Sequence, residues 1–209
     1  DVPIPDLSVG TFGINSQTTP LPEIKVEVPD FTPVPFTSDI LWFKGALAHA
    51  WLEEDRFVKN AYLHEKDFYL SLYKKGFPVR ASAGLNHFAQ WQGRHPHVGS
   101  LGGSPDDYFR VLLGKGAEAS EIKGEISNSQ GNHLGYWDWR LQIPMDRVEM
   151  GLYWMYPFED GSGLQMGTLG DGIYGYHLTN KGYLPGWFNQ AVVEFIYTKT
   201  QTGPGYSDP

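Results

Sequence analysis

The sequence predicts an all-β protein, an antiparallel sheet whose strands cross a membrane as part of a β-barrel wall. Three observations predict it. Apolar and polar residues alternate with period two over stretches of roughly 9–11 residues, the length a tilted strand needs to cross a bilayer. The connections between those stretches alternate between short and long, as periplasmic turns and external loops do in outer-membrane barrels. Aromatic residues make up 15% of the 209-residue chain, glycines number 25 and charged residues only 19%, a composition that favours strands and turns over helices.

Residues 1–40 read as a lead-in, periplasmic or plug-like. Pro3, Pro5, Pro20, Pro22, Pro29, Pro33 and Pro35 interrupt this segment and leave one plausible strand, Glu23 to Val28. The barrel wall then occupies 41–209. Leu41 to Trp51 sets Leu41, Phe43, Leu47, His49 and Trp51 against Trp42, Lys44, Ala46, Ala48 and Ala50. Ala61 to Tyr73, Val79 to Gln92, His133 to Ile143, Val148 to Tyr156, Ile173 to Asn180 and Trp187 to Tyr197 complete seven crossings. Connections at 74–77, 144–147 and 181–186 are short. Those at 52–60, 93–131 and 157–171, and the stretch after 200, are long. One helix is expected inside the longest loop. Ser104 is an N-cap, Pro105 stands at the first helical position, Asp106 and Asp107 follow, and Gly114 ends it.

Alternation also assigns the faces. Trp139, Leu141, Leu152, Val193 and Phe195 belong to the lipid-facing set, and Trp51, Tyr62, Trp91, Trp154, Tyr156, Trp187 and Tyr197 lie near strand ends, where amphipathic rings prefer the interface. Lys44, Glu65, Asp67, Arg80, Asp138, Arg140, Glu149 and Glu194 belong to the lumen set, where ion pairs can fill a narrow interior. His49, His64, Lys66 and His87 fall on the lipid set; they fit it only at its outer interface, beside lipopolysaccharide phosphates. Seven crossings are an odd number and leave an open edge, which in lipid strands backbone groups without partners. Further strands, from residues beyond these or from a second chain, are therefore expected.

Several functions are disfavoured. A net charge of −8 does not suit a nucleic-acid partner. With no cysteine there is neither a disulfide framework nor a thiolate metal site. No apolar run approaches a membrane helix. Ser162 lacks the elbow of a nucleophilic serine and reads as part of a Gly-rich turn. The acidic pairs Asp106–Asp107 and Glu159–Asp160 are sequence neighbours, whereas glycoside hydrolysis needs carboxylates facing each other across a bond. His95-Pro-His97 has no fixed third ligand, and Asp160 with Asp171 fits no calcium loop. No enzyme activity, metal or cofactor is expected.

Several phrases resemble the capsule assembly Wzi family in its Bacteroidetes form: WLEEDRFVKNAYLHEK at 51–66, GLNHFAQW at 84–91, GNHLGYWD at 131–138, FEDGSG at 158–163, DGIYG at 171–175, and EFIYT with QTG at 194–203. The resemblance runs in order from about residue 20 to 209. It implies an outer-membrane barrel of about eighteen strands, of which this chain would form roughly the N-terminal half. It also implies a non-enzymatic role, binding capsular or other surface polysaccharide and helping to hold it at the cell. Aromatic faces cover the C–H face of a sugar ring while amide, carboxylate and imidazole groups bond its hydroxyls. The candidates in and beside the long loops are Trp91, Gln92, His95, His97, Tyr108, Asn132, His133, Glu159 and Asp160, joined by Asn128 and Gln130. Arg94, Arg110, Lys115 and Lys123 would have to form a basic patch if the glycan is acidic. The alternative is a porin-like or transporter component of a larger outer-membrane complex, in which the lumen residues matter more than the loops.

Overall fold

The computed structural model describes residues 7–13, 20–97, 99–114, 131–159, 170–182 and 188–199. Its main element is one antiparallel sheet of eight strands. In chain order these are β1 (Glu23–Pro33), β2 (Leu41–Trp51), β3 (Tyr62–Leu72), β4 (Arg80–Trp91), β7 (Asn132–Pro144), β8 (Val148–Phe158), β9 (Gly172–Asn180) and β10 (Gln190–Tyr197). Two short strands, β5 (Arg94–His95) and β6 (Gly99–Ser100), pair with each other between β4 and helix α1 (Pro105–Leu113). Each strand of the main sheet pairs with the next in sequence, an up-and-down meander from β1 to β10. The seven antiparallel strands expected from Leu41 onward are present and pair in sequence order. The strand expected at 23–28 is longer than the sequence suggests, and it pairs with β2 as an eighth member of the sheet.

Strand lengths follow from the pattern. Each of β1–β4, β7 and β8 holds 11 to 13 residues, about twice the usual soluble strand. β10 begins at Gln190, and the expected start at Trp187 lies outside the described residues. Connections at one end of the sheet are 34–40, 73–79, 145–147 and 181–189; at the other they are 52–61, 92–131 and 159–171. The contrast is large between 145–147 and 92–131 and slight between 181–189 and 52–61.

Cross-strand register sorts side chains into two sets. Lys44 pairs with Tyr69, Asp67 with Asn86, Ser82 with Arg140, Asp138 with Met155, and Gly175 with Glu194. This chain of pairs puts all eight lumen-set residues on one face. Leu70, Ala83, Trp139, Trp154, Tyr174 and Phe195 define the opposite face in the same way. The first face is buried: Tyr136, Met155 and Asp138 are wholly covered. Phe88, Tyr136, Tyr153, Met155 and Ile173 form its hydrophobic cluster, against which Phe12 and Leu63 pack.

Glycine makes the close packing of this inner face possible. Tyr69 lies across Gly84, its direct cross-strand partner, where a Cβ would sit 2.2 Å from Tyr69 Cε1. Tyr153 lies across Gly175 in the same way, at 1.9 Å from Tyr153 Cζ. Only a residue without a side chain lets these rings lie flat on the sheet.

The N-terminal stretch 7–13 crosses the inner face. The Ser8 hydroxyl donates to Glu194 Oε1 at 2.7 Å and the Val9 backbone N–H donates to Oε2 at 2.8 Å. The Tyr153 hydroxyl donates to the same carboxylate. Phe12 packs on Tyr136 at 6.3 Å between ring centroids. This strap runs over β7, β8 and β10. β1 contributes a second inward feature. Its register slips between Val28 and Thr32, so Pro29, Asp30 and Phe31 form a bulge, an arrangement that Pro tolerates on an edge strand and that re-aims side chains.

No helix among the described residues is long and apolar enough to cross a membrane; α1 is the nine-residue helix expected from its cap.

Candidate functional site

Three regions hold the residues that carry chemistry: the inner polar network, the patch beneath α1, and the rim at the long-loop end.

The inner network centres on Asp138. Arg140 Nε donates to both its carboxylate oxygens, at 2.9 and 3.1 Å. The Tyr69 hydroxyl donates to Asp138 Oδ2 at 3.0 Å and accepts from Asn86 Nδ2 at 2.8 Å. A buried carboxylate with this many donors is satisfied, and it rigidifies the sheet it joins. Lys44 Nζ lies 4.8 Å from the Tyr69 ring and 5.1 Å from that of Phe31. Arg80 lies 4.8 Å from the Tyr73 ring. Glu65 and Asp67 face the same side on β3, and Glu149 on β8.

The second region lies on the outer face near the long-loop end. Here α1 packs against the sheet, with Val111 buried against Ala89 and Trp91, and Tyr62 and Tyr108 flanking them. Beneath it lie His49, His64, Lys66, His87 and His133. His64 is wholly buried, 5.7 Å from the Tyr108 ring, and neither of its ring nitrogens has a hydrogen-bond partner among the described residues. His87 Nε2 meets His133 Nδ1 at 2.8 Å, so one ring carries the shared proton. Lys66 Nζ donates to the carbonyl of Leu112, in the last turn of α1, where a cation also complements the helix dipole.

This arrangement corrects one sequence expectation. The histidines and Lys66 are on the outer face, as the alternation requires, but they meet the helix. The signal was the amphipathic pattern of α1 itself, which turns Val111 inward and leaves Phe109 and Leu113 exposed.

The caps hold the helix as the sequence predicts. The Ser104 hydroxyl accepts from the Asp107 N–H at 3.2 Å, and Asp107 Oδ2 accepts from the Ser104 and Gly103 N–H groups at 2.9 and 2.8 Å. Partial burial pushes the Asp107 carboxyl up, but these hydrogen bonds outweigh it and hold the group below the usual carboxylate range.

The third region is the rim. The β5–β6 hairpin joins the 52–61 loop through paired backbone bonds between Lys59 and Arg94, at 2.8 and 3.2 Å. This places the exposed Phe57 ring 5.1 Å from His95 and 6.4 Å from His97. The sequence singled out both histidines but missed Phe57, since contact between two separate loops leaves no mark in local pattern.

The nine candidate glycan residues therefore divide. His95, His97, Asn132 and Glu159 lie at least partly open to solvent. Trp91 and His133 are buried in the patch under α1 and offer no open face to a sugar, while Tyr108, on α1 itself, is half-buried there. Gln92 is half-buried, against Gly103. Asp160, with Asn128, Gln130, Ser162, Trp187, Lys115 and Lys123, lies outside the described residues. His95 and His97 are with Phe57 while His87 and His133 pair beneath α1; among the described residues no group of three or more metal-ligating side chains comes together.

The outer face below α1 is of another kind. Val26, Leu47, Phe68, Leu70, Leu72, Trp139, Leu152, Val193 and Phe195 are all exposed there, Phe68 by 52% and Val193 by 67%. Together they form an apolar band across the sheet, far more than scattered surface hydrophobes.

No protein-family model matches this chain, and no curated protein or solved structure matches it either.

Proposed function

We propose that this chain is part of an outer-membrane β-barrel that holds a surface polysaccharide at its long-loop end without cleaving it. One observation carries the reading: an apolar band exposed among the described residues runs from Val26 on β1 to Phe195 on β10, while the opposite face closes around hydrogen-bonded charge. A sheet with its polar residues inside and its large apolar residues outside is inverted for water and suited to lipid. β1 and β10 are the ends of the strand order, and further strands pair with them in the completed barrel.

The glycan part of the reading is supported by the Wzi-like phrases and by the rim. Phe57, His95 and His97 offer an aromatic surface, and Asn132, at the start of β7, and Glu159, just after β8, are exposed polar groups at the same end of the sheet. The test is capsule retention in an encapsulated Gram-negative host whose own copy is deleted. Replacing Phe57, His95 and His97 together with Ala is expected to release capsule into the medium, while the barrel still inserts and migrates heat-modifiably. Capsule that stays attached would remove the rim from the account.

A second reading, a porin-like or transporter component, draws on the charged inner face, where Lys44, Arg80 and Arg140 line a cavity. Under it, substitutions on the inner face change solute flux and those at the rim do not.

A further inference from the structure

We propose that the cavity beneath the β1 bulge is an oxyanion-binding site, accepting the carboxylate of an acidic sugar or a phosphate group. The cavity measures about 340 Å³, at the lower end of the range of about 300–1,000 Å³ for small-ligand sites. Pro29, Asp30 and Phe31 roof it, and Lys44, Arg80, Arg140, Tyr69, Ser82 and Gln142 line it.

Its charge is what marks it. The chain as a whole carries −8, yet three cations and one carboxylate, Asp30, face this space. Asp138 is wholly buried, held by Tyr69 and Arg140. Aromatic faces hold the cations in place. Tyr69 lies between Lys44, at 4.8 Å, and Arg140, at 5.9 Å, while Arg80 rests on Tyr73 at 4.8 Å. Arg140 is already ion-paired with Asp138, and the aromatic faces hold Lys44 and Arg80 in place before an anion arrives. The Arg80 guanidinium gives a planar, forked donor suited to a carboxylate or phosphate, and Lys44 adds a point charge. The Gln142 amide supplies a neutral donor. The bulge is what makes the space: a regular β1 would leave no roof over Lys44.

The site rests on this cavity. Only the carrier of the anion, an acidic surface glycan, rests on the function proposed above.

The test is calorimetric titration of the full chain, folded in detergent micelles at low ionic strength. The probes are trigalacturonate, inorganic phosphate and the neutral maltotriose. Binding of trigalacturonate but not maltotriose is expected, weakened at least tenfold by Arg80→Gln and by Lys44→Gln, and weakened also by about 0.5 M salt, which screens the charges. Phosphate binding with the same dependence on Arg80 supports the site and assigns it to phosphate rather than carboxylate. Arg140 is left unchanged because its loss strands buried Asp138; if Arg80→Gln fails to fold, Lys44→Gln gives the reading alone. Affinities unchanged in both variants, or equal binding of maltotriose, would overturn the proposal. The triple rim variant at Phe57, His95 and His97 should bind trigalacturonate normally. Loss there would move the site to the loops and overturn it too, whereas released capsule with this binding intact separates the two claims.

Discussion

The upper and lower halves of the outer face belong to the same strands and the same side-chain set, yet their chemistry differs completely. Near the short-loop end β3 presents Phe68, Leu70 and Leu72; a few residues on it presents Lys66 and His64. β4 changes in the same way, from Ala81, Ala83 and Leu85 to His87. What differs is the cover. The lower half is apolar and left exposed among the described residues, as contact with lipid would require. The upper half is covered by α1, whose backbone and rings give the polar groups neighbours. Period-two alternation therefore reports which side a residue faces, while residue type reports what covers that side.

The largest expected effect breaks the lower half. Leu152→Arg places a charge in the apolar band and is expected to cost about 2–4 kcal/mol of barrel stability near the bilayer mid-plane, measured by urea unfolding in lipid vesicles. An unfolding midpoint equal to the parent's would mean that this face does not meet lipid.

The upper half responds to loss of its link to the helix. Lys66→Met removes the charged donor to the Leu112 carbonyl and is expected to cost about 2 kcal/mol, within the range for hydrogen bonds to charged groups. Limited proteolysis within residues 92–131 should quicken several-fold while the strand content stays constant. A cleavage rate unchanged from the parent would show that α1 is held by its apolar contacts alone.

The smallest effect concerns the cap. Ser104→Ala is expected to cost about 1 kcal/mol of helix stability. The Asp107 carboxyl is depressed in the folded state, so its contribution is complete above the ordinary carboxylate pKa, near 4, and fades as pH falls through the lower folded value. The fluorescence of Trp91, which packs against Val111, reports it. The parent should lose α1 packing only in acid, and Asp107→Asn should flatten that pH dependence. An identical acid transition in the variant would place its cause elsewhere.

Much of this was legible because strand pairing and capping are local codes. Leu41–Trp51 alternates without a break and is a strand with those bounds. Ser104, Asp107 and Gly114 cap α1 where their side chains and backbone freedom require. The eight charges expected on the lumen side share one face because period two leaves no other choice once pairing is direct. What stayed hidden depends on contacts between distant segments. The bulge at Pro29–Phe31 breaks the alternation of β1, so only Glu23 to Val28 read as strand. The packing of α1 on His64 and the meeting of Phe57 with His95 both rest on loop geometry. Trp91 and His133 looked like glycan contacts for the same reason: their types suit a sugar, and only the fold shows a helix in that place.

The central claim is that one face of this sheet meets lipid and the other does not. The chain has no cysteine, so single nitroxide labels can be placed without background. Labels at Phe68, Leu152 and Val193 on the band, and at Ser82 and Gln142 on the inner face, would be compared in lipid vesicles for collision with oxygen and with a water-soluble nickel chelate. The account expects high oxygen and low nickel accessibility at the three band positions, with the oxygen signal falling at the two inner ones. Equal accessibility on both faces, or nickel reaching Leu152 and Val193 freely, would contradict it.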